Sequence, residues 1–245
     1  MANDYAPELY GDRIADVYDA FHAEMGLDTE GTVEVLAELA GDGPVLELAI
    51  GTGRVALPLA ERGIEVHGID ASERMVEKLR EKPGGDSIPV TIGDFADVGV
   101  EGRFSLVYLV FNTLFGLQTQ EDQVRCFANV AEHLADDGLF VIEVFVPDPG
   151  RFDRNQRVNV ARVRPDEVFL DVSRWDPIAQ RSETDHVVVT EEGIKLYPVS
   201  LRMAWPAELD LMARLAGLEL KHRWASWKKD DLDARSGAHI SVYGR

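Results

Sequence analysis

The stretch Val45-Leu46-Glu47-Leu48-Ala49-Ile50-Gly51-Thr52-Gly53-Arg54 decides the fold. Apolar Val45, Leu46 and Leu48 run into a glycine turn, and a helical pattern follows at once through Val55, Leu57, Leu59 and Ala60. Strand, tight loop and helix in that order bring backbone N–H groups close to a nucleoside-bearing ligand. Gly51-Thr52-Gly53 with Ala56 also fits the looser G-x-G-x-x-A nucleotide fingerprint, a weak signal on its own. Glu47 lies inside the apolar run, where a carboxylate needs a partner or a task.

Upstream, Leu9, Ile14, Val17, Tyr18 and Phe21 stand at helical spacing over 8–25, and Asp28 or Thr29 can cap a second helix carrying Val33, Leu36, Ala37 and Ala40. Downstream, the helix after the glycine turn stops at Gly63. A second strand ends at Asp70, and Ser72 caps the next helix with Met75, Val76 and Leu79 inward. Pro89 to Ile92 is a short third strand and Leu106 to Phe111 an apolar fourth. Thr119 caps a long helix closed by Gly138, and Leu139 to Val146 is the fifth strand. This alternation predicts an α/β fold: a doubly wound, Rossmann-like, mostly parallel sheet with right-handed crossovers.

The pattern changes at residue 151. Val158-x-Val160, Val168-Phe169-Leu170-x-Val172 and Val187-Val188-Val189 are separated by turn signals such as Arg164-Pro165-Asp166 and Glu192-Gly193. They predict an antiparallel β insert of three or four strands after the fifth strand, over 151–200. Residues 1–150 and 201–245 form the main domain, ending in a helix from Pro206 to Ala216 and two strands.

The chain has 245 residues and a net charge of −19, from 25 basic and 44 acidic side chains. So acidic a surface disfavours nucleic-acid and anionic-lipid partners. Cys126, the one cysteine, reads as a small core residue. The opening Met1-Ala2-Asn3-Asp4-Tyr5 is polar and no long apolar run follows, so the expectation is a cytoplasmic monomer or homodimer with a small-molecule substrate and no metal.

Three successive strands end at or near an acid: Glu47, Asp70 and Asp94, the last followed by Phe95. Asp70 falls 17 residues after Gly53 (70 − 53), beside the glycine loop of a doubly wound sheet, where an acid accepts the hydroxyls of a ribose. Val45 to Gly53, Gly68-Ile69-Asp70-Ala71-Ser72, Gly93-Asp94-Phe95 and Val110-Phe111-Asn112-Thr113 together resemble the successive motifs of class I S-adenosylmethionine-dependent methyltransferases. The resemblance runs from about Tyr10 to Val242 and is densest in 45–145. It looks nearest to small natural-product enzymes such as sugar-amine N,N-dimethyltransferases, which share an opening like Ala15-Asp16-Val17-Tyr18-Asp19. Ala49 departs from the family, which usually has glycine there.

The resemblance implies S-adenosyl-L-methionine as cofactor and S-adenosyl-L-homocysteine as product. It implies Ala49, Gly51 and Gly53 around the methionine part, Glu47 or its backbone near the ammonium, Asp70 with Ala71 at the ribose, and Met75, Asp94 and Phe95 at the adenine. Tyr18 would cover the sulfonium, and Phe111 and Asn112 would lie near the transferred methyl. His22, one helical turn after Tyr18, is the first base candidate, with Tyr18 and Tyr10 next; His186 and His239 have no motif behind them. The pocket should open above the carboxyl ends of the strands, roofed by the insert. Tyr10, Phe115, Phe145, Trp175, Tyr197 and Trp205 are candidate walls, and Arg157, Arg162 and Arg202 candidate anion contacts. The implied reaction is methyl transfer to N or O of a small molecule. An NAD(P)-dependent oxidoreductase also suits the glycine loop and Asp70, but no Tyr-x-x-x-Lys pair occurs. A catalytically silent S-adenosylmethionine-binding protein is the other alternative.

Overall fold

The structure is a computed structural model that describes residues 8–245; the polar opening at 1–7 lies outside the described residues. The first half runs α1 (Glu8–Ile14), α2 (Tyr18–Met25), α3 (Thr29–Ala40), β1 (Val45–Leu48), α4 (Ala56–Glu61), β2 (Val66–Asp70), α5 (Glu73–Arg80), β3 (Val90–Ile92), β4 (Phe104–Leu109), α6 (Gln120–His133) and β5 (Leu134–Phe145). Then come β6 (Gln156–Val163), β7 (Glu167–Asp176), β8 (Arg181–Thr190), β9 (Gly193–Arg202), α7 (Pro206–Leu215), β10 (Glu219–Trp224) and β11 (Ala238–Gly244).

A seven-stranded sheet has the order β10-β11-β5-β4-β1-β2-β3, and β6-β7-β8-β9 form a separate four-stranded sheet. Strands β1 to β5 are parallel, while β11 runs antiparallel to β5 and β10 to β11. The fold is therefore the expected Rossmann-like sheet with an antiparallel insert after the fifth strand. Alternate side chains of each central strand feed two cores. Val107 and Leu109 join Phe127 and Phe140 on one face, and Leu106 and Tyr108 join Leu36 and Leu59 on the other. The chain winds outward from β1 through β2 to β3, then returns to β4 on the other side of β1. Their carboxyl ends therefore open a crevice at this switch of direction.

Three local expectations change. The helical stretch over 8–25 is two helices, and the break at 15–17 lets α2 lay its aromatic face over the strand ends. Helix α6 stops at His133 rather than running to Gly138, because Leu134 is fully buried and pairs with Phe104 as the start of β5. The fourth strand ends at Leu109, and Phe111 and Asn112 form a left-handed turn (φ 54° and 66°). Asp28 is the cap of α3, accepting the Gly31 amide at 2.9 Å, and Ser72 and Thr119 cap their helices as expected. Cys126 is fully buried and burial pushes its thiol up, as befits a packing residue.

Candidate functional site

The glycine loop turns sharply after β1. Ala49, Gly51 and Gly53 all have positive φ (57°, 56° and 80°). Gly53 also permits close packing: a Cβ there would stand 2.4 Å from Cδ1 of Leu79. The Gly51 amide donates to Oδ2 of Asp70 at 2.7 Å, and the Ser72 amide donates to Oδ1 at 2.8 Å. Burial pushes the Asp70 carboxyl up, against these backbone hydrogen bonds. A carboxylate has about four acceptor positions, so these backbone amides leave acceptor capacity for a further donor. That arrangement fits a vicinal diol.

Helices α1 and α2 are clamped over this loop by polar contacts. Thr52 donates its hydroxyl to Asp19 at 2.6 Å, and Lys82 pairs with Asp19 at 2.6 Å. Ser72 donates to Asp12 at 2.6 Å, and Arg74 pairs with Asp16 at 2.7 Å. Burial would raise the Asp19 carboxyl, but the Lys82 and Thr52 hydrogen bonds outweigh it and hold the group below its ordinary range. The clamp presents Tyr18 and His22 to the crevice. Their rings are 4.0 Å apart, and His22 meets Phe111 edge-on at 4.6 Å. His22 is buried, and its Nδ1 has no hydrogen-bond partner among the described residues. Burial, then the nearby Arg54, pushes its pKa down to about 4. Burial also raises the Tyr18 phenol, so both groups are neutral at neutral pH.

One cavity of about 470 Å³ runs from the glycine loop to the inner face of the insert. Of the residues singled out from sequence for the cofactor, Tyr18, Ala49, Gly51, Asp70, Met75, Phe95 and Phe111 line it. Tyr10, His22, Asn112 and Phe145 line it as well. The Asn112 Oδ1 accepts the Phe145 amide at 2.6 Å, so that oxygen ties the turn after β4 to the end of β5.

Other expected site residues lie elsewhere. Glu47 is buried beneath the loop, where Tyr108 donates to it at 3.0 Å, and burial raises its pKa to about 8. Gly53 packs on Leu79, Ala71 is outside the cavity wall, and the Asp94 Oδ1 accepts the Ala96 amide at 2.8 Å. Phe115 is fully buried and packs on Phe145 from behind, Tyr197 packs on Phe21, and Trp205 sits at the start of α7 against the core. Arg202 is buried and pairs with Glu208 at 2.6 Å, away from the cavity. Arg162 pairs with Glu24 and Glu167. His239 is fully buried between strands, with Nδ1 on the Ser241 hydroxyl at 2.9 Å, and does not reach the cavity.

Several site residues carry no motif. Glu143 on β5 accepts the Phe111 amide at 2.8 Å and the Trp227 indole at 2.8 Å, holding the left-handed turn. On the insert, Arg157 and Asn159 of β6, Asp171 and Ser173 of β7, and Thr184 and His186 of β8 all line the cavity. Cross-strand register sets them in two rows, Asn159-Asp171-His186 and Arg157-Ser173-Thr184. His186 bonds Asp171 through Nδ1 at 2.8 Å, and that bond holds the Asp171 carboxyl below its usual range. The signal was a period-two polar alternation, which reads equally as a solvent face.

Comparison with known proteins agrees with this geometry. A family model described as a methyltransferase domain matches residues 45–138. The solved structure of the CcbJ methyltransferase from Streptomyces caelestis is 42% identical, with a TM-score of 0.92 over 98% of this chain and 99% of that one. The cypemycin N-terminal methyltransferase of a Streptomyces species is 27% identical over 98% of both chains. A dTDP-4-amino-2,3,4,6-tetradeoxy-D-glucose N,N-dimethyltransferase from Saccharopolyspora spinosa is 29% identical over 55% of each. The chain belongs to the class I S-adenosylmethionine-dependent methyltransferases. It is an enzyme whose methyl donor is S-adenosylmethionine. No helix among the described residues is long and apolar enough to cross a membrane.

Proposed function

We propose that the protein methylates an amine nitrogen on a polar small molecule of natural-product type, bound between the glycine loop and the insert. Gly51, Asp70, Met75 and Phe95 hold the donor, with Asp70 on its ribose hydroxyls. Bound S-adenosylmethionine supplies an electrophilic methyl group on a sulfonium whose sulfur departs as a neutral thioether, so no acid is required. The chain's task is to orient the acceptor, exclude water and take one proton. Orientation alone contributes up to ~7–11 kcal/mol in favourable models.

The observation that carries the reading is the His186–Asp171 pair in the cavity wall. An alkylamine arrives largely as ammonium and must lose a proton before its lone pair can attack. His22, with a pKa near 4, is too weak a base to hold that proton at neutral pH, but its neutral ring can orient the acceptor. Asp171 accepts the Nδ1 proton of His186 and leaves Nε2 free to accept one. His186 is therefore the proton acceptor in this reading, and the two polar rows bind the hydroxyl and other polar groups of the acceptor. The two relatives named for N-terminal and N,N-dimethyl transfer support nitrogen as the target.

The test assays methyl transfer to a panel of amino sugars, amino-terminal peptides and their hydroxyl counterparts. Amines are expected to be methylated and the hydroxyl analogues not. His186→Gln should lose about 10²-fold in rate at pH 7 and recover toward alkaline pH, where the amine is already deprotonated. Methylation of the hydroxyl analogues alone would overturn the assignment.

A further inference from the structure

Strand β5 fixes both the backbone and the side chain of Asn112. The Asn112 N–H donates to the backbone carbonyl of Glu143 at 3.0 Å, and the preceding Phe111 N–H donates to the Glu143 carboxylate at 2.8 Å. The other oxygen of that carboxylate accepts the Trp227 indole at 2.8 Å. These bonds hold Asn112 at φ 66°, a left-handed conformation that asparagine tolerates better than most residues. Its side-chain oxygen accepts the Phe145 N–H at 2.6 Å. A backbone N–H can only donate, so the atom facing it is the oxygen, and turning the amide over would leave that N–H unpaired. The Nδ2 amino group is therefore the free end. It makes no hydrogen bond among the described residues, and it is open to the cavity rather than sealed in protein.

We propose that Asn112 is a specificity-determining residue, whose Nδ2 donates a hydrogen bond to an oxygen that the methyl acceptor carries beside its reacting nitrogen. This rests on the reading of the protein as an amine methyltransferase and adds a substrate class to it. Sheet order puts Asn112 on the acceptor side of the crevice. The glycine loop and Asp70 belong to β1 and β2, whereas Asn112 lies between the ends of β4 and β5, toward the insert. Polarity then selects the contact. An amine N–H needs a lone pair to donate to, and the Asn112 oxygen is turned away to β5. The cavity is offered an N–H instead, which pairs with a carbonyl or hydroxyl oxygen. His22 adds a second open polar position against the same turn: its ring meets Phe111 edge-on at 4.6 Å, and its buried Nδ1 is unpaired among the described residues. An alkyl group seated here would cover polar atoms without satisfying them, which weakens binding, whereas an oxygen satisfies the Asn112 donor. The acceptor class is an amine with a neighbouring oxygen, either a 1,2-amino alcohol or an α-amino carbonyl compound.

Matched amines test this through kcat/KM. The pair 2-aminocyclohexanol and cyclohexylamine probes a hydroxyl oxygen, and the pair alaninamide and 3-methylbutan-2-amine probes a carbonyl oxygen. Comparing each ratio between wild type and variant cancels the difference in amine basicity. Asn112→Asp keeps an oxygen for Phe145 and replaces the donor with an acceptor. Asn112→Gly keeps the left-handed backbone and removes the donor. Affinity for S-adenosylhomocysteine reports the fold of each. In both variants the preference for the oxygen-bearing amine is expected to fall about tenfold or more, in the hydroxyl or the carbonyl pair according to which oxygen is read. A variant that binds S-adenosylhomocysteine yet keeps the wild-type ratio in both pairs, or slows both members of each pair equally, would overturn the role of Asn112 and leave amine methylation standing. A wild type that methylates neither member of either pair would remove the amine reading, and this inference with it.

Discussion

Arg202 and Glu208 form an ion pair at 2.6 Å that fastens the end of β9 to α7, and the Arg202 guanidinium also donates to Gln123 at 2.6 Å. Arg202 is 5% exposed, so the pair is structural rather than a contact for an anionic substrate. Burial opposes the Glu208 charge, but Arg202 and two glutamines hold its carboxyl below the ordinary range. Arg202→Met leaves Glu208 without its cation, and the expected loss is about 3–5 kcal/mol of stability in chemical denaturation. Affinity for S-adenosylhomocysteine should be unchanged. A stable variant that has lost only acceptor binding would return Arg202 to the substrate site.

Ala49 takes a left-handed conformation (φ 57°) where a side chain is strained. Ala49→Gly should therefore be neutral or stabilising by up to ~1 kcal/mol in thermal unfolding, with cofactor binding kept. Ala49→Val should be clearly destabilising, because a branched Cβ tolerates this region poorly. Equal stability of the two variants would show that the loop does not hold this geometry in solution.

Stability should peak near pH 6.5. Burial lowers the pKa of both His22 and His239 from 6.5 to about 4. The unfolded chain therefore binds protons that the native state refuses, and stability falls as pH drops from about 6.5 to 4. Glu47 runs the other way. Its folded pKa of about 8 lies above the ordinary 4.5, so its contribution is full below about 4.5 and is lost as pH rises toward 8. Each pH unit on that alkaline limb can remove up to about 1.4 kcal/mol. Glu47→Gln keeps an acceptor for Tyr108 and should flatten the alkaline limb in denaturation midpoints taken from pH 5 to 9. An unchanged slope would mean that Glu47 is not the group responsible.

The candidate cofactor end is legible in sequence because its geometry is local. Glycines at fixed offsets and an acid at a strand end leave a trace along the chain, and Gly51, Asp70, Met75 and Phe95 meet at one cavity. Glu47 was legible as an oddity but not as to its partner, since Tyr108 comes from a strand 61 residues away. The acceptor end was harder for a physical reason. Alternation on an antiparallel strand gives two faces without saying which is buried. In the insert the usual assignment is reversed: the polar residues Asn159, Asp171 and His186 face the enclosed cavity, and Val160, Leu170 and Val187 face outward. Phe115 and Trp205 looked like pocket walls because aromatic side chains suit both pockets and cores, and here the core took them.

The most direct measurement is calorimetric binding of S-adenosylhomocysteine to the wild type and to Asp70→Ala. Asp70 anchors the Gly51 and Ser72 amides, and in the proposed site it also supplies the acceptor for the ribose. Removing it should weaken binding by about 2 kcal/mol or more, roughly 30-fold. Unchanged affinity in Asp70→Ala, or saturable NADH binding with none for S-adenosylhomocysteine, would contradict the site described.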